Sequence, residues 1–227
     1  MKLLAFGDSF VEGLVKEPSE NTPKERDEIC FARKIVNKSK YITSYENFGK
    51  RGSGNLSISH NVYKYVQNND CKNSFFLICW SGLDRYEEYY KETNQYQNTD
   101  YKKQKHDPLF QTNILASGIH NYLKNRKISH LFTSSFTPFY QFHDKNIMSE
   151  KYIIGDATKA NSLFDIISNR FNSNTKPFGE YLASHAQFNV PKSKFIAGCL
   201  HPTDKGHTKI AETLVPYIDN FIQLKTS

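Results

Sequence analysis

Lys2-Leu3-Leu4-Ala5-Phe6-Gly7-Asp8-Ser9-Phe10-Val11-Glu12-Gly13 is the stretch on which the fold reading turns. A short apolar run that stops at Gly-Asp-Ser is the pattern of a buried strand feeding a tight turn. The turn leaves Ser9 at the strand end, where its hydroxyl and its backbone N–H can both face a cleft. Taken alone, a serine in this place is more often the N-cap of a helix.

Reading outward, residues 27–36 place Ile29, Ala32, Ile35 and Val36 at the spacing of a helix face. Tyr41 to Tyr45 is β-branched and aromatic and is expected as a second strand, with a Gly-rich loop over Asn47 to Gly54. Leu56, Ser59, His60, Tyr63 and Val66 mark another helix. Ser74 to Trp80 is continuously apolar over the length of a strand, which implies burial on both faces. Further helices are expected over Leu109 to Leu123, Ser162 to Arg170, Phe178 to Phe188 and Thr203 to Leu224, with a strand over Ile128 to Ser134. Alternating strands and helices predict an α/β chain whose parallel sheet is covered on both sides and binds ligands at the carboxyl ends of its strands.

No repeat or Pro/Gly/Ser linker divides the chain, so residues 1–227 read as one domain. A polar Tyr/Lys-rich insertion at about 85–108 and the segment 136–159 fall outside the alternation. Connections of that length serve as lids, contact substrate or make disordered excursions.

The 227 residues include 38% hydrophobic and 14% aromatic side chains, enough for a core without disulfides or metals and too many for a disordered chain. No run approaches the roughly 18 apolar residues of a membrane span. The N-terminal apolar run is too short for a secretory signal, which predicts a cytoplasmic protein. Cys30, Cys71, Cys79 and Cys199 are scattered without a CxxC pair and read as reduced thiols, with neither a metal site nor a cofactor expected. Thirty Lys+Arg against 23 Asp+Glu give a net charge of +7. Because the acids are interspersed with the bases, this reads as a solvated Lys-rich surface rather than a nucleic-acid footprint.

Near the other end, Leu200-His201-Pro202-Thr203-Asp204-Lys205-Gly206-His207 puts a histidine in a loop just before a helix. A histidine so held, close to a serine on a strand end, has the makings of a nucleophile with its general base. Together these blocks resemble the SGNH (GDSL-type) hydrolase superfamily. Gly7-Asp8-Ser9 with Gly13 resembles its nucleophile block and Asn47-x-Gly49-x-x-Gly52 its second block. Trp80-Ser81-Gly82-Leu83-Asp84-Arg85 stands where the family has Gly-x-Asn-Asp, and His201-Pro202-Thr203 with Gly206-His207 resembles the terminal block.

The resemblance implies a flavodoxin-like three-layer α/β/α sandwich, with Ser9 as nucleophile and His201 as its base. It also implies an oxyanion hole built from the N–H groups of Ser9 and Gly52 and a side chain at the Asn position. Two departures stand out. Asp84 occupies the Asn position, and an ionised carboxylate accepts but does not donate. Either it is protonated, another donor replaces it, or the alignment shifts by one residue; Arg85, an obligate donor, is the obvious substitute. The family's triad acid falls on Gly198, so His201 Nδ1 is expected to bond a backbone carbonyl of residues 197–200, with Asp156 or Asp165 as the alternative carboxylates. His207 is expected to pack the last helix, Asp204 to favour its N-terminal dipole, and Asp8 to structure its loop.

The expected activity is cleavage of a small acyl ester through an acyl-serine, on an O-acetylated carbohydrate in particular, with acyl transfer as a variant. The alternative is a decayed site on the same fold that binds glycan or nucleic acid.

Overall fold

The computed structural model describes residues 1–14, 22–82, 85, 87–93, 95–98, 107–135, 152, 154, 162–168, 194–197 and 201–226. Four strands form a parallel sheet: β1 (Lys2–Gly7), β2 (Ser44–Gly49), β3 (Ser74–Trp80) and β6 (Ser129–Ser134), in the order β2-β1-β3-β6. Beyond β6, Tyr152 O accepts from Phe132 N–H and Ile154 N–H donates to Phe132 O, the bond pair of a parallel ladder. A second, two-stranded antiparallel sheet pairs β4 (Glu87–Tyr90) with β5 (Gln95–Asn98).

Alternation along the strands builds two cores, as a period of two requires. Leu3, Ala5, Phe75, Leu77 and Leu131 face one side, against α3 (Phe31–Val36), α6 (Leu163–Ser168) and the C-terminal helix α7 (Asp204–Thr226). Leu4, Phe6, Phe76, Ile78 and Phe132 face the other, against α4 (Asn55–Asn68) and α5 (Pro108–Asn125). The expected three-layer α/β/α architecture is therefore present. No helix among the described residues is long and apolar enough to cross a membrane.

Three local expectations are corrected. The second strand runs over Ser44–Gly49 and not Tyr41–Tyr45, because its ladder with β1 begins at Lys2↔Ser44; Tyr41 O instead accepts from the N-terminal ammonium. Asn47 to Gly49 consequently belongs to the strand, opposite Ala5 to Gly7, and the loop is confined to residues 50–54. The helix expected over residues 27–36 is split into α2 (Pro23–Ile29) and α3, with Cys30 extended between them (φ −59°, ψ 146°). There the Cys30 thiol donates to Asp27 O, and the junction packs against Gly13, where an added Cβ would lie 2.9 Å from Cys30 Cβ. The helix expected over residues 178–188 lies outside the described residues. Cys30, Cys71 and Cys79 are buried free thiols.

Candidate active site

Because the sheet is parallel, the turns after β1, β3 and β6 all emerge on one edge. Asp8 follows β1, Ser81 follows β3 and Ser135 follows β6, and the three meet. Asp8 is fully buried; its Oδ1 accepts from Ser135 Oγ at 2.8 Å and from Phe10 N–H at 3.0 Å, and its Oδ2 accepts from Ser81 Oγ at 2.9 Å. The Arg85 guanidinium stands 3.6 Å from the same Oδ2. Asp8 is thus the N-cap of the short helix α1 (Ser9–Glu12) and a clamp across three strand ends. Its expected loop-structuring role is visible in these contacts.

This clamp orients the next residue. Ser9 occupies the first helical position, where an N–H has no intrahelical acceptor. Its side chain is 2% exposed, and its Oγ lies 2.9 Å from His201 Nε2 across 192 residues of chain.

His201 is held by a local brace. Residues 195–197 run antiparallel to 201–203: Ala197 N–H donates to His201 O at 2.8 Å and Thr203 N–H to Phe195 O at 2.9 Å, with a bridge between Ile196 and Pro202. Thr203 Oγ1 donates to Lys194 O and accepts from Gly206 N–H, capping α7. Gly206 lies so close under the brace that an added Cβ would stand 2.2 Å from Phe195 O, a place no other residue fits. The Phe10 ring lies with its centroid 5.9 Å from that of the His201 imidazole, tilted by 44°.

Gly52 sits in the turn after β2 with φ +76°, in the left-handed region. Arg85 connects this turn to the Ser9 turn, since its Nη1 donates to Ser53 O at 3.2 Å while pairing with Asp8. Asp84, Gly198 and the other loop residues 199–200, and Asp156 lie outside the described residues. Asp165 accepts from the backbone and hydroxyl of Ser162, capping α6.

His207 is fully buried and stacks on Phe31 with centroids 6.1 Å apart; burial lowers its pKa to about 3, so it is a neutral packing ring. Asp204 opens α7 and pairs with Lys34 at 2.7 Å. Among the described residues no group of three or more His, Cys, Asp or Glu is arranged to hold a metal.

Sequence reasoning missed Ser81, Ser135, Asn55 and Glu87. Asn55 Oδ1 accepts from Ser81 N–H at 2.8 Å and its Nδ2 donates to Thr112 Oγ1 at 3.0 Å, tying the β3 end to α4 and α5. The available signal was positional: a polar residue directly after an apolar strand of a parallel sheet lies on the ligand edge.

No family model and no curated protein matches the sequence. Solved structures match nearly all of it. A protein assigned to the lipolytic G-D-S-L family from Desulfitobacterium hafniense is 12% identical with a TM-score of 0.54, over 95% of this chain and 98% of that one. An acetylxylan esterase from Geobacillus stearothermophilus is 14% identical with a TM-score of 0.52, over 96% and 93%. A two-domain esterase active on acetylated mannans is 14% identical with a TM-score of 0.50, over 98% of this chain and 50% of that one. The chain has the three-layer α/β fold of the SGNH (GDSL-type) hydrolases.

Proposed function

We propose that this protein is a serine esterase in which Ser9 is the nucleophile and His201 the general base. The observation that carries the reading is the 2.9 Å contact between Ser9 Oγ and His201 Nε2, made by residues from opposite ends of the chain. That distance is within the range for proton transfer to a positioned base.

In this mechanism Nε2 takes the Oγ proton as Oγ attacks the ester carbonyl. The tetrahedral oxyanion collapses, the C–O bond to the leaving alcohol breaks, and His201 returns the proton to that oxygen. Water then attacks the acyl-serine, losing a proton to Nε2; as the Oγ–acyl bond breaks, Nε2 passes that proton to Ser9 Oγ, releasing the carboxylic acid and restoring both Ser9 and neutral His201. The N–H groups of Ser9 and Gly52 are the proposed oxyanion donors, each worth about 3–4 kcal/mol of barrier. Arg85 is the third: it is an obligate donor, and its Ser53 and Asp8 contacts hold it between the two turns. A backbone carbonyl of residues 197–200 is the proposed partner of His201 Nδ1. Such a dyad fixes the tautomer but stabilises the imidazolium less than a carboxylate does.

The proposed substrate is a small acyl ester, an O-acetyl group on a carbohydrate in particular. Solved relatives in fold include an acetylxylan esterase and an esterase active on acetylated mannans, which supports that choice. Hydrolysis of p-nitrophenyl acetate and acetate release from acetylated xylooligosaccharides test it. The wild type is expected to turn over both, with Ser9→Ala and His201→Ala each at least about 1,000-fold slower, a floor below the roughly 10⁴- to 10⁶-fold losses of removing triad members. Equal rates in the wild type and Ser9→Ala would overturn the esterase reading in favour of a binding protein on the same fold.

A further inference from the structure

We infer that Glu87, at the start of the β4–β5 hairpin, is a positioning residue for the turn that presents Gly52. In its catalytic consequence this rests on the esterase reading; in its structural content it does not.

Helix α4 begins after Gly54, an N-cap residue with no side chain to satisfy the first amides. The missing acceptor comes from 33 residues further along. Glu87, only 4% exposed, accepts from Gly54 N–H at 2.7 Å and Ser57 Oγ at 2.5 Å through Oε1, and from Ser57 N–H at 2.8 Å through Oε2. Ser57 is the third helical residue, so Glu87 satisfies the amide that a local Ser, Thr or Asp cap would take. A carboxylate at this end of the helix is also favoured by the aligned peptide dipoles.

A local cap is sterically barred. A Cβ added to Gly54 would lie 2.7 Å from Glu87 Cδ and 2.9 Å from Arg85 O. The chain has exchanged a self-contained helix start for one that depends on the hairpin. Two neighbouring contacts reinforce the dependence: Arg85 Nη1 on Ser53 O, and the Tyr96 ring 5.5 Å from that of His60 on α4. Residues 53, 54, 57 and 60 are therefore fastened to the insertion, and Gly52 is the next residue back. The insertion sets the conformation of the Gly52 turn and is not an appendage to it.

Amide hydrogen exchange and kinetics on the full chain test this with Glu87→Ala and Glu87→Gln; the glutamine keeps one acceptor oxygen and serves as the conservative rescue. In Glu87→Ala the Gly54 and Ser57 amides should exchange at least tenfold faster, with β3 and α5 unchanged and Glu87→Gln intermediate. On p-nitrophenyl acetate, kcat should fall 10- to 100-fold in Glu87→Ala while KM stays within about twofold, with most of kcat recovered in Glu87→Gln. Unchanged exchange at Gly54 and Ser57, or exchange raised uniformly across the sheet, overturns the inference. So does an active Glu87→Ala enzyme with wild-type kcat. An inactive wild type defeats the esterase reading alone, and the exchange pattern then decides the positioning role by itself.

Discussion

Replacing Asp8 separates the contribution of its shape from that of its charge. Asp8→Ala removes the helix cap, worth about 1 kcal/mol. It also removes the acceptor of two serine hydroxyls, bonds to a charged group worth about 1.5–3 kcal/mol each. Some of that returns, because Ser135 Oγ already sits 3.2 Å from Cys79 Sγ and can turn to it. The expected net loss is about 4 kcal/mol. Asp8→Asn keeps an oxygen for Phe10 N–H and Ser135 Oγ, and the Ser81 hydroxyl can rotate to accept from the new amide. What it loses is the anion facing Arg85, a cation 23% exposed and therefore partly screened, so about 2 kcal/mol is expected. Urea unfolding at pH 7 measures both. The single tryptophan, Trp80, lies directly before Ser81 and is 1% exposed, so its fluorescence reports this strand end. A loss below 1 kcal/mol in Asp8→Ala, or equal losses in the two variants, would refute the clamp.

Stability should fall in mild acid. Burial lowers the pKa of His130 to about 4 and of His207 to about 3, below the usual 6.5, so the unfolded chain takes up these protons first. Their stabilisation is complete above pH 6.5 and is lost as pH falls, until about 4 for His130 and about 3 for His207. At pH 4.5 each costs on the order of 2–3 kcal/mol. His207→Phe, which keeps the ring against Phe31, should remove its share of the slope in urea titrations at successive pH values; an unaltered slope would exclude His207 as a source. Gly206→Ala drives a methyl against Phe195 O, and should cost several-fold in kcat and about 2–3 kcal/mol in stability by displacing the His201 brace. Wild-type values in both assays would show that the brace yields without moving the imidazole.

Much of this architecture is legible in the sequence, and what is not has identifiable physical reasons. β3 reads cleanly because a strand buried on both faces must be apolar at every position, and Ser74–Trp80 is almost uniformly so. β2 is misread because its end carries Asn47 and Gly49, residues that usually punctuate loops, whereas Asn47 here bonds Val11 O and Gly49 N–H and Gly49 pairs with Gly7. Ser9 and His201 are visible through the blocks around them. Ser81, Ser135 and Glu87 are not, because each acquires its role only from what the fold places opposite. A serine after a strand, or a glutamate in a polar insertion, has no local pattern that separates it from its neighbours.

Asp8 and Glu87, the two carboxylates buried among the described residues, share a design. Each sits at a helix start and accepts from two or more donors, and each joins elements far apart in sequence around the strand ends. A buried anion beside the proposed nucleophile, whose reaction would generate an oxyanion, is an electrostatic liability, since like charges repel more strongly where water is excluded. Arg85 offsets that liability for Asp8 by standing against its Oδ2. The guanidinium therefore serves two ends in the proposed mechanism, neutralising the clamp and offering its other N–H groups to the developing charge. Arg85→Met should accordingly depress kcat more than the loss of one hydrogen-bond donor would, because it uncovers Asp8 as well. Asp8→Asn added to Arg85→Met should recover part of the rate, a reversal that a purely donating Arg85 does not permit.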